Sequence, residues 1–261
     1  MYITYISSTA NPRLKFAKSL QRRRVRREQQ QVLLEGERLI ADSLSAGFPP
    51  ALFFFTPEAE SHHADLLATA AEAGAQLLGV EPALLAEISN TVTPQGMVAV
   101  SPIPQITPGA EGLALILDGV RDPGNLGTLL RSAAAAGVDQ VILLPGVTDP
   151  WSPKVLRAGM GSHFRLAIRH AASAEQLQMM LPNYAFYFAD AAAVHHYTQT
   201  DWTQPSALIL GGETERSGTL ERWLGLEAIA IPMTRDVESL NVAVAGSIIL
   251  FEAARQRRKG A

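Results

Sequence analysis

Short apolar runs alternate with segments of helical period through the first hundred residues. Val32-Leu33-Leu34 precedes Arg38 to Ala46, Leu52-Phe53-Phe54-Phe55 precedes His62 to Ala73, Gln76 to Val80 precedes Pro82 to Ser89, and Gly96 to Val100 closes the series. Strands alternating with helices predict βαβ units on a mainly parallel sheet, here a small α/β sandwich. Ser101 to Gly109 carries three prolines and no period, which reads as a linker. The alternation then resumes with strand Leu113 to Leu117, helix Asn125 to Ala136, strand Val141 to Leu144 and helix Lys154 to Gly159. Further strands are expected at Phe164 to Ile168, Tyr184 to Phe188, Leu208 to Leu210 and Ala228 to Ile231, before a last helix from Ser239 to Arg255. The expected organisation is therefore a domain over 1–104, a linker over 105–112 and a second α/β domain over 113–261.

Composition narrows the classes. A chain of 261 residues that is 47% hydrophobic can bury a sizeable core. With no cysteine, disulfides and thiolate chemistry are excluded, a zinc site would need His and carboxylates alone, and no metal is expected. No apolar run approaches a membrane span, and Met1-Tyr-Ile-Thr4 lacks a basic segment followed by an apolar one, so no membrane is expected and the cytoplasm is the default compartment. The net charge of −3 conceals a local bias: Arg13, Lys15, Lys18, Arg22, Arg23, Arg24, Arg26 and Arg27 precede the first acid, Glu28, and Arg255, Arg257, Arg258 and Lys259 cluster near the other end. Basic stripes of this density form a phosphate-binding footprint, or else a solvated helix face.

Three strand ends carry unusual residues. Asp118-Gly-Val-Arg-Asp-Pro-Gly-Asn125 leads into a helix that bears Arg131, and its glycines lack the spacing of a dinucleotide fingerprint or a phosphate loop. Leu210-Gly211-Gly212-Glu213 ends an apolar strand in two glycines and a carboxylate. Ile231-Pro-Met233 reaches a proline that cannot continue a ladder, and Ser239 or Asn241 stands where the last helix needs its N-cap. Singly these are ordinary turns. Together, at the carboxyl ends of strands in one domain, they match the rule for ligand sites on open α/β sheets. The histidines, and Trp151, Trp202 and Trp223, read as packing or surface residues.

In these residues the chain resembles the SPOUT superfamily, specifically the SpoU (TrmH-type) RNA ribose 2′-O-methyltransferases. The first family motif resembles Asn125-Leu-Gly-Thr-Leu-Leu-Arg131, the second Gly211-Gly212-Glu213, and the third Ile231-Pro-Met233 with Ser239-Leu-Asn-Val242; Ser152 to Phe164 fits between them. The first domain is similar to the family's substrate-binding module in Asn11-Pro-Arg-Leu-Lys15, Leu34-Glu-Gly-Glu-Arg38 and Thr93-Pro-Gln-Gly96. Arg235 stands where a small residue is common.

The resemblance implies a parallel-sheet α/β/α domain with a C-terminal trefoil knot, and S-adenosylmethionine as cofactor, held by Gly211, Gly212, Ile231, Met233 and Leu240. It implies methyl transfer to a ribose 2′-oxygen with Asn125, Arg131, Glu213, Ser239 and Asn241 as the catalytic set. The family has cast Arg131 as a base. A guanidinium does not surrender its proton near neutrality, so Arg131 is expected to hold a phosphate and polarise the hydroxyl. RNA is the implied partner, 23S ribosomal RNA before transfer RNA, gripped by Arg13, Lys15, Arg22, Arg23, Arg24, Arg26 and Arg27, with the chain acting as a homodimer. A non-catalytic RNA-binding protein of the same fold and an enzyme acting on a small nucleotide remain the alternatives.

Overall fold

The computed structural model describes residues 2–91, 94–110, 112–211, 226–234 and 237–259. The chain divides into two compact units, Met1–Gln105 with Trp151–Phe164, and Ile106–Pro150 with Arg165–Ala261.

The first unit runs β1 (Ile3–Ile6), α1 (Pro12–Ser19), α2 (Arg23–Gln29), β2 (Gln31–Glu35), α3 (Glu37–Ser45), β3 (Leu52–Phe55), α4 (Pro57–His62), α5 (Ala64–Glu72), β4 (Gln76–Val80), α6 (Pro82–Ala86) and β5 (Met97–Pro102). Its sheet has the order β1-β4-β3-β5-β2. β4 is parallel to β1 and β3, whereas β5 is antiparallel to both β3 and β2, so the sheet is mixed. An apolar run such as Met97 to Val100 records burial on both faces and carries no information about direction. Alternation divides the core: Phe54 joins Leu78, Val98 and the buried face of α1 (Leu14, Ala17), while the equally buried Phe53 and Phe55 point the other way. Asn11 caps α1, its side chain accepting from the Arg13 amide at 2.9 Å, with Pro12 at the first helical position.

The second unit begins with β6 (Leu113–Asp118), α7 (Pro123–Ala136) and β7 (Gln140–Leu143). The chain then passes through α8 (Pro153–Gly159) and a 3₁₀ turn (Ser162–Phe164), which belong to the first unit. There Phe164 stacks on Phe48 with centroids 6.2 Å apart, and a Cβ on Gly161 would overlap the Asp42 carboxylate. The sequence boundaries place this segment in the second domain. It returns with β8 (Ala167–His170), three residues later than the strand expected from Phe164, then α9 (Ala174–Met180), β9 (Ala185–Ala189), β10 (Ser206–Gly211), β11 (Glu227–Ile229) and α10 (Val242–Lys259).

The second sheet has the order β11-β9-β10-β6-β7-β8 and is parallel throughout. Such a sheet is covered on both faces, which is why Leu113-Ala-Leu-Ile-Leu117 is uniformly apolar and buried. Ala114, Ile116, Ala207 and Ile209 pack with Ala174 and Leu177 of α9. On the other face α10 lies so close to α7 and β10 that a Cβ on Gly246 would overlap Leu210 and stand 2.6 Å from Leu129 Cδ2. Ser132 and Ser247 meet across the two helices, hydroxyl to hydroxyl at 2.7 Å. The result is an α/β/α sandwich. Among the described residues no helix is long and apolar enough to cross a membrane, and no cluster of His, Asp and Glu is placed to hold a metal ion.

Candidate active site

Strand order decides where a site can form. From β6 the chain builds outward through β7 to β8, then returns to the opposite side of β6 with β9, β10 and β11. The carboxyl ends at such a reversal leave a crevice. A cavity of about 580 Å³ opens there, bounded by the loop after β6, the ends of β9, β10 and β11, and the start of α10.

The polypeptide shapes this crevice locally. Asp122 is the N-cap of α7, its Oδ1 accepting from the Asn125 amide at 2.8 Å, and Pro123 occupies the first helical position. The helix therefore starts two residues before Asn125, which turns that side chain into the cavity. Gly211, paired with Asp118 in the β10–β6 ladder, has φ +103, and a Cβ there would overlap the Asp118 carbonyl oxygen. Only glycine can end β10 in this way. Of the two possible caps for the last helix, Asn241 fills the position: its Oδ1 accepts from the amides of Ala243 at 2.9 Å and Val244 at 3.4 Å. Its Nδ2 donates to Asn125 Oδ1 at 3.0 Å, so one side chain caps α10 and ties it to the start of α7.

The cavity brings together Asn125, Ser239 and Asn241 from the expected catalytic set, and Gly211, Ile231, Met233 and Leu240 from the expected cofactor set. Gly212 and Glu213 lie outside the described residues, as does Arg235. Arg131 does not line the cavity. It is exposed on α7, six residues beyond Asn125, which on an α-helix is about 9 Å along the axis and about 120° around it. Two charged residues not foreseen do line it: Arg121, in the loop after β6, and Asp190, at the end of β9. The sequence signal for Arg121 was a cation between Asp118 and Asn125 in a loop already marked as unusual. Arg121 is the cationic side chain of the lining among the described residues, and Asp190 is held by the Ala192 amide, which donates to its Oδ1 at 3.0 Å.

The lining fits S-adenosylmethionine. Leu210, Ile229, Ile231 and Leu240 give an apolar slot for a purine, strand-end backbone supplies donors and acceptors, Arg121 complements a carboxylate, and the volume lies within the range of drug-sized ligand sites.

On the first unit the basic stripe separates by exposure. Lys15, Arg22, Arg23, Arg24 and Arg27 are exposed, although Arg24 pairs with Glu28 at 2.6 Å within its helix. Arg13 is half-buried and donates through Nε to Gln76 at 2.8 Å. The expectation that Arg26 binds RNA is corrected: it is 5% exposed and its guanidinium donates to the carbonyls of Leu20 and Gln21 at 2.8 and 2.9 Å, stapling α2 to the end of α1. Arg26→Ala is expected to lower stability by about 1.5–3 kcal/mol in denaturant titration, since it strands two carbonyls that accept from a charged donor.

Comparison with known proteins agrees with this geometry. Residues 112–251 match the model of the SpoU rRNA methylase family, and residues 11–99 match the MRM3-like substrate binding domain. Human mitochondrial rRNA methyltransferase 3 is 35% identical over an alignment covering 89% of this chain and 69% of that protein. The Bacillus subtilis 23S rRNA (guanosine(2553)-2′-O)-methyltransferase RlmP is 30% identical, covering 94% and 97%. Among solved structures, the AdoMet-bound rRNA methyltransferase of Sinorhizobium meliloti superposes with a TM-score of 0.82 at 30% identity, covering 97% of this chain and 98% of that one. With its β6–β10 crevice, its Asn125–Asn241 pair and a match that covers both units, the chain belongs to the SpoU rRNA methylase family.

Proposed function

We propose that this protein transfers the methyl group of S-adenosylmethionine to a ribose 2′-hydroxyl of ribosomal RNA, in the large subunit. The observation that carries this reading is the convergence of Asn125, Asn241 and Ser239 with Gly211, Ile231, Met233 and Leu240 on one cavity. It is supported by relatives that carry rRNA methyltransferase names and by an AdoMet-bound neighbour. The cofactor supplies a methyl group already activated by its sulfonium charge.

The protein's part is alignment. The Asn125–Asn241 hydrogen bond fixes two amides at the mouth of the cavity, where they orient the attacking hydroxyl, and holding two reactants in line removes much of the entropic barrier. Ser239 and Asn241 are exposed, so the hydroxyl proton leaves to solvent at that rim. Asp190 accepts from a hydroxyl of the bound nucleoside. Arg121 holds an oxyanion, either the cofactor carboxylate or an RNA phosphate. Arg131, away from the cavity, holds RNA phosphate. The assay is tritiated S-adenosylmethionine with a 23S rRNA transcript: alkali-resistant ribose methylation is expected, and its absence defeats the proposal. Arg121→Gln is expected to raise by about 10- to 100-fold the KM of whichever substrate carries that oxyanion, with kcat affected less. Separate titrations of cofactor and RNA identify which one.

The exposed arginines of α2 form the RNA-gripping face. Arg23→Glu with Arg27→Glu is expected to leave the thermal midpoint unchanged and to reduce the slope of log affinity against log salt by about one to two.

The functional unit is a homodimer. Val244 and Phe251 are 48% and 47% exposed on α10, and with the half-buried Ile248 they follow the i, i+4, i+7 rhythm of an apolar stripe in want of a partner. Light scattering at micromolar concentration checks this, a monomer being the contrary result. The trefoil knot is likewise proposed. Its support is that α10 lies on α7 and β10, although the strand before it sits at the sheet's far edge. An experimental trace of residues 205–242 tests it.

A further inference from the structure

The first unit holds a cavity of its own, about 360 Å³, at the carboxyl ends of the parallel strands β3 and β4. Its apolar walls include Pro82 and the buried Leu85, and its polar groups include Glu58, His62 and Gln95. Two glycines at positive φ shape it: a Cβ on Gly36 would overlap the Gln95 amide, and one on Gly96 would stand 2.9 Å from the Thr56 hydroxyl. Backbone bonds fix the same corner, from Gly36 N to Met97 O at 3.2 Å and from Thr56 N to Gly96 O at 3.0 Å. Beside Gly36 the Glu35 carboxylate accepts from the Asn90 amide at 3.0 Å and from the hydroxyls of Ser89 and Thr91. The cavity is thus preorganised by the backbone and side chains around it.

Its chemistry fits a flat heteroaromatic ring. Pro82, Leu85 and the His62 imidazole offer surfaces for the faces of such a ring. Glu58, an acceptor when ionised, and Gln95, both donor and acceptor, offer groups for its edge. Beside it Tyr5 is 68% exposed, with its ring laid over Gly79 and its hydroxyl donating to Glu60 at 3.4 Å. That is a further stacking surface at the same end of the sheet. Side chains cannot read bases within the narrow major groove of paired RNA, whereas unpaired bases splay out, stack on aromatic rings and expose their edges.

We propose that this cavity receives one unpaired nucleobase of the RNA substrate, a base presenting amino or imino donors, read at its edge by Glu58 and Gln95. The inference rests on the RNA reading given above and adds to it a place where the first unit recognises sequence as well as charge.

The test uses the full chain and a 23S rRNA transcript, with RNA affinity measured by filter binding, cofactor affinity by calorimetry and folding by thermal midpoint. Glu58→Gln and Gln95→Ala are each expected to weaken RNA binding about tenfold, the scale of one lost base-edge contact. Ala86→Trp, which blocks the cavity while keeping its polar groups, is expected to do the same. Cofactor affinity and thermal midpoint should be unchanged in all three. RNA affinities within about twofold of wild type in all three variants, with wild-type methyl transfer intact, overturn the inference alone. Failure of the wild-type protein to bind or methylate the transcript overturns the RNA reading, and this inference with it.

Discussion

Gly211→Ala is expected to abolish S-adenosylmethionine binding and to destabilise the second unit by about 3 kcal/mol or more. Two effects add. The backbone at φ +103 is open to glycine and costs any L residue on the order of 1–3 kcal/mol. The new methyl would also overlap the Asp118 carbonyl oxygen, which is backbone of the neighbouring central strand and cannot rotate away. Relief requires β10 to part from β6 at the very end that forms the cavity wall. Calorimetric titration with the cofactor and a urea melt check both parts. Binding within about threefold of wild type at unchanged stability would show that the end of β10 yields more easily than its packing implies.

Asn241→Asp is expected to lower kcat for methyl transfer by about a hundredfold while leaving the stability of α10 within about 0.5 kcal/mol. Aspartate is as good an N-cap as asparagine, so acceptance from the Ala243 and Val244 amides persists. What disappears is the donor to Asn125. An acceptor then faces an acceptor across the 3.0 Å now bridged by hydrogen, and the Asn125 amide must turn over to present its Nδ2 there, so the group it offers to the attacking hydroxyl changes. A shift of about 1 Å in a positioning group can cost about 10²-fold in rate. Single-turnover kinetics with saturating cofactor and RNA isolate this step, and Asn241→Ala, which loses the cap as well, serves as the contrast. Near-normal turnover by Asn241→Asp would remove the amide pair from the mechanism.

The sequence exposed the second unit more fully than the first, for physical reasons. A parallel sheet buried on both faces must write its strands as apolar runs, and Leu113 to Leu117 or Leu208 to Leu210 could hardly be anything else. The cavity residues were legible because they sit at strand ends, where glycine, proline and asparagine do conformational work that leaves a mark. Gly211 at positive φ and Asn241 at the head of α10 are examples. What escaped is what depends on pairing across distance. β1, at four residues, and α9, at seven, are too short to show a period, and the antiparallel course of β5 is not encoded in its composition. Arg26 is chemically identical to its neighbours in the basic run. It is buried because the carbonyls of Leu20 and Gln21 wait for it at the helix junction, which no count of charges reveals. Arg131 was assigned to the site by its resemblance to the first family motif, but six residues along α7 from Asn125 it does not line the cavity that Arg121 lines.

The pairing of β6 with β10 has a consequence for how the second unit assembles. Its central ladder joins Leu113–Asp118 to Ser206–Gly211, and the helix that covers it meets α7 through serines 115 positions apart. Closing so long a loop must precede most of the favourable contacts, and topologies of that kind cross their folding barrier slowly. On the ribosome β6 emerges long before β10 and meanwhile presents an unmatched edge to solvent. Refolding of this unit should therefore be slow, and its yield should fall with protein concentration as unpaired edges of different molecules find one another.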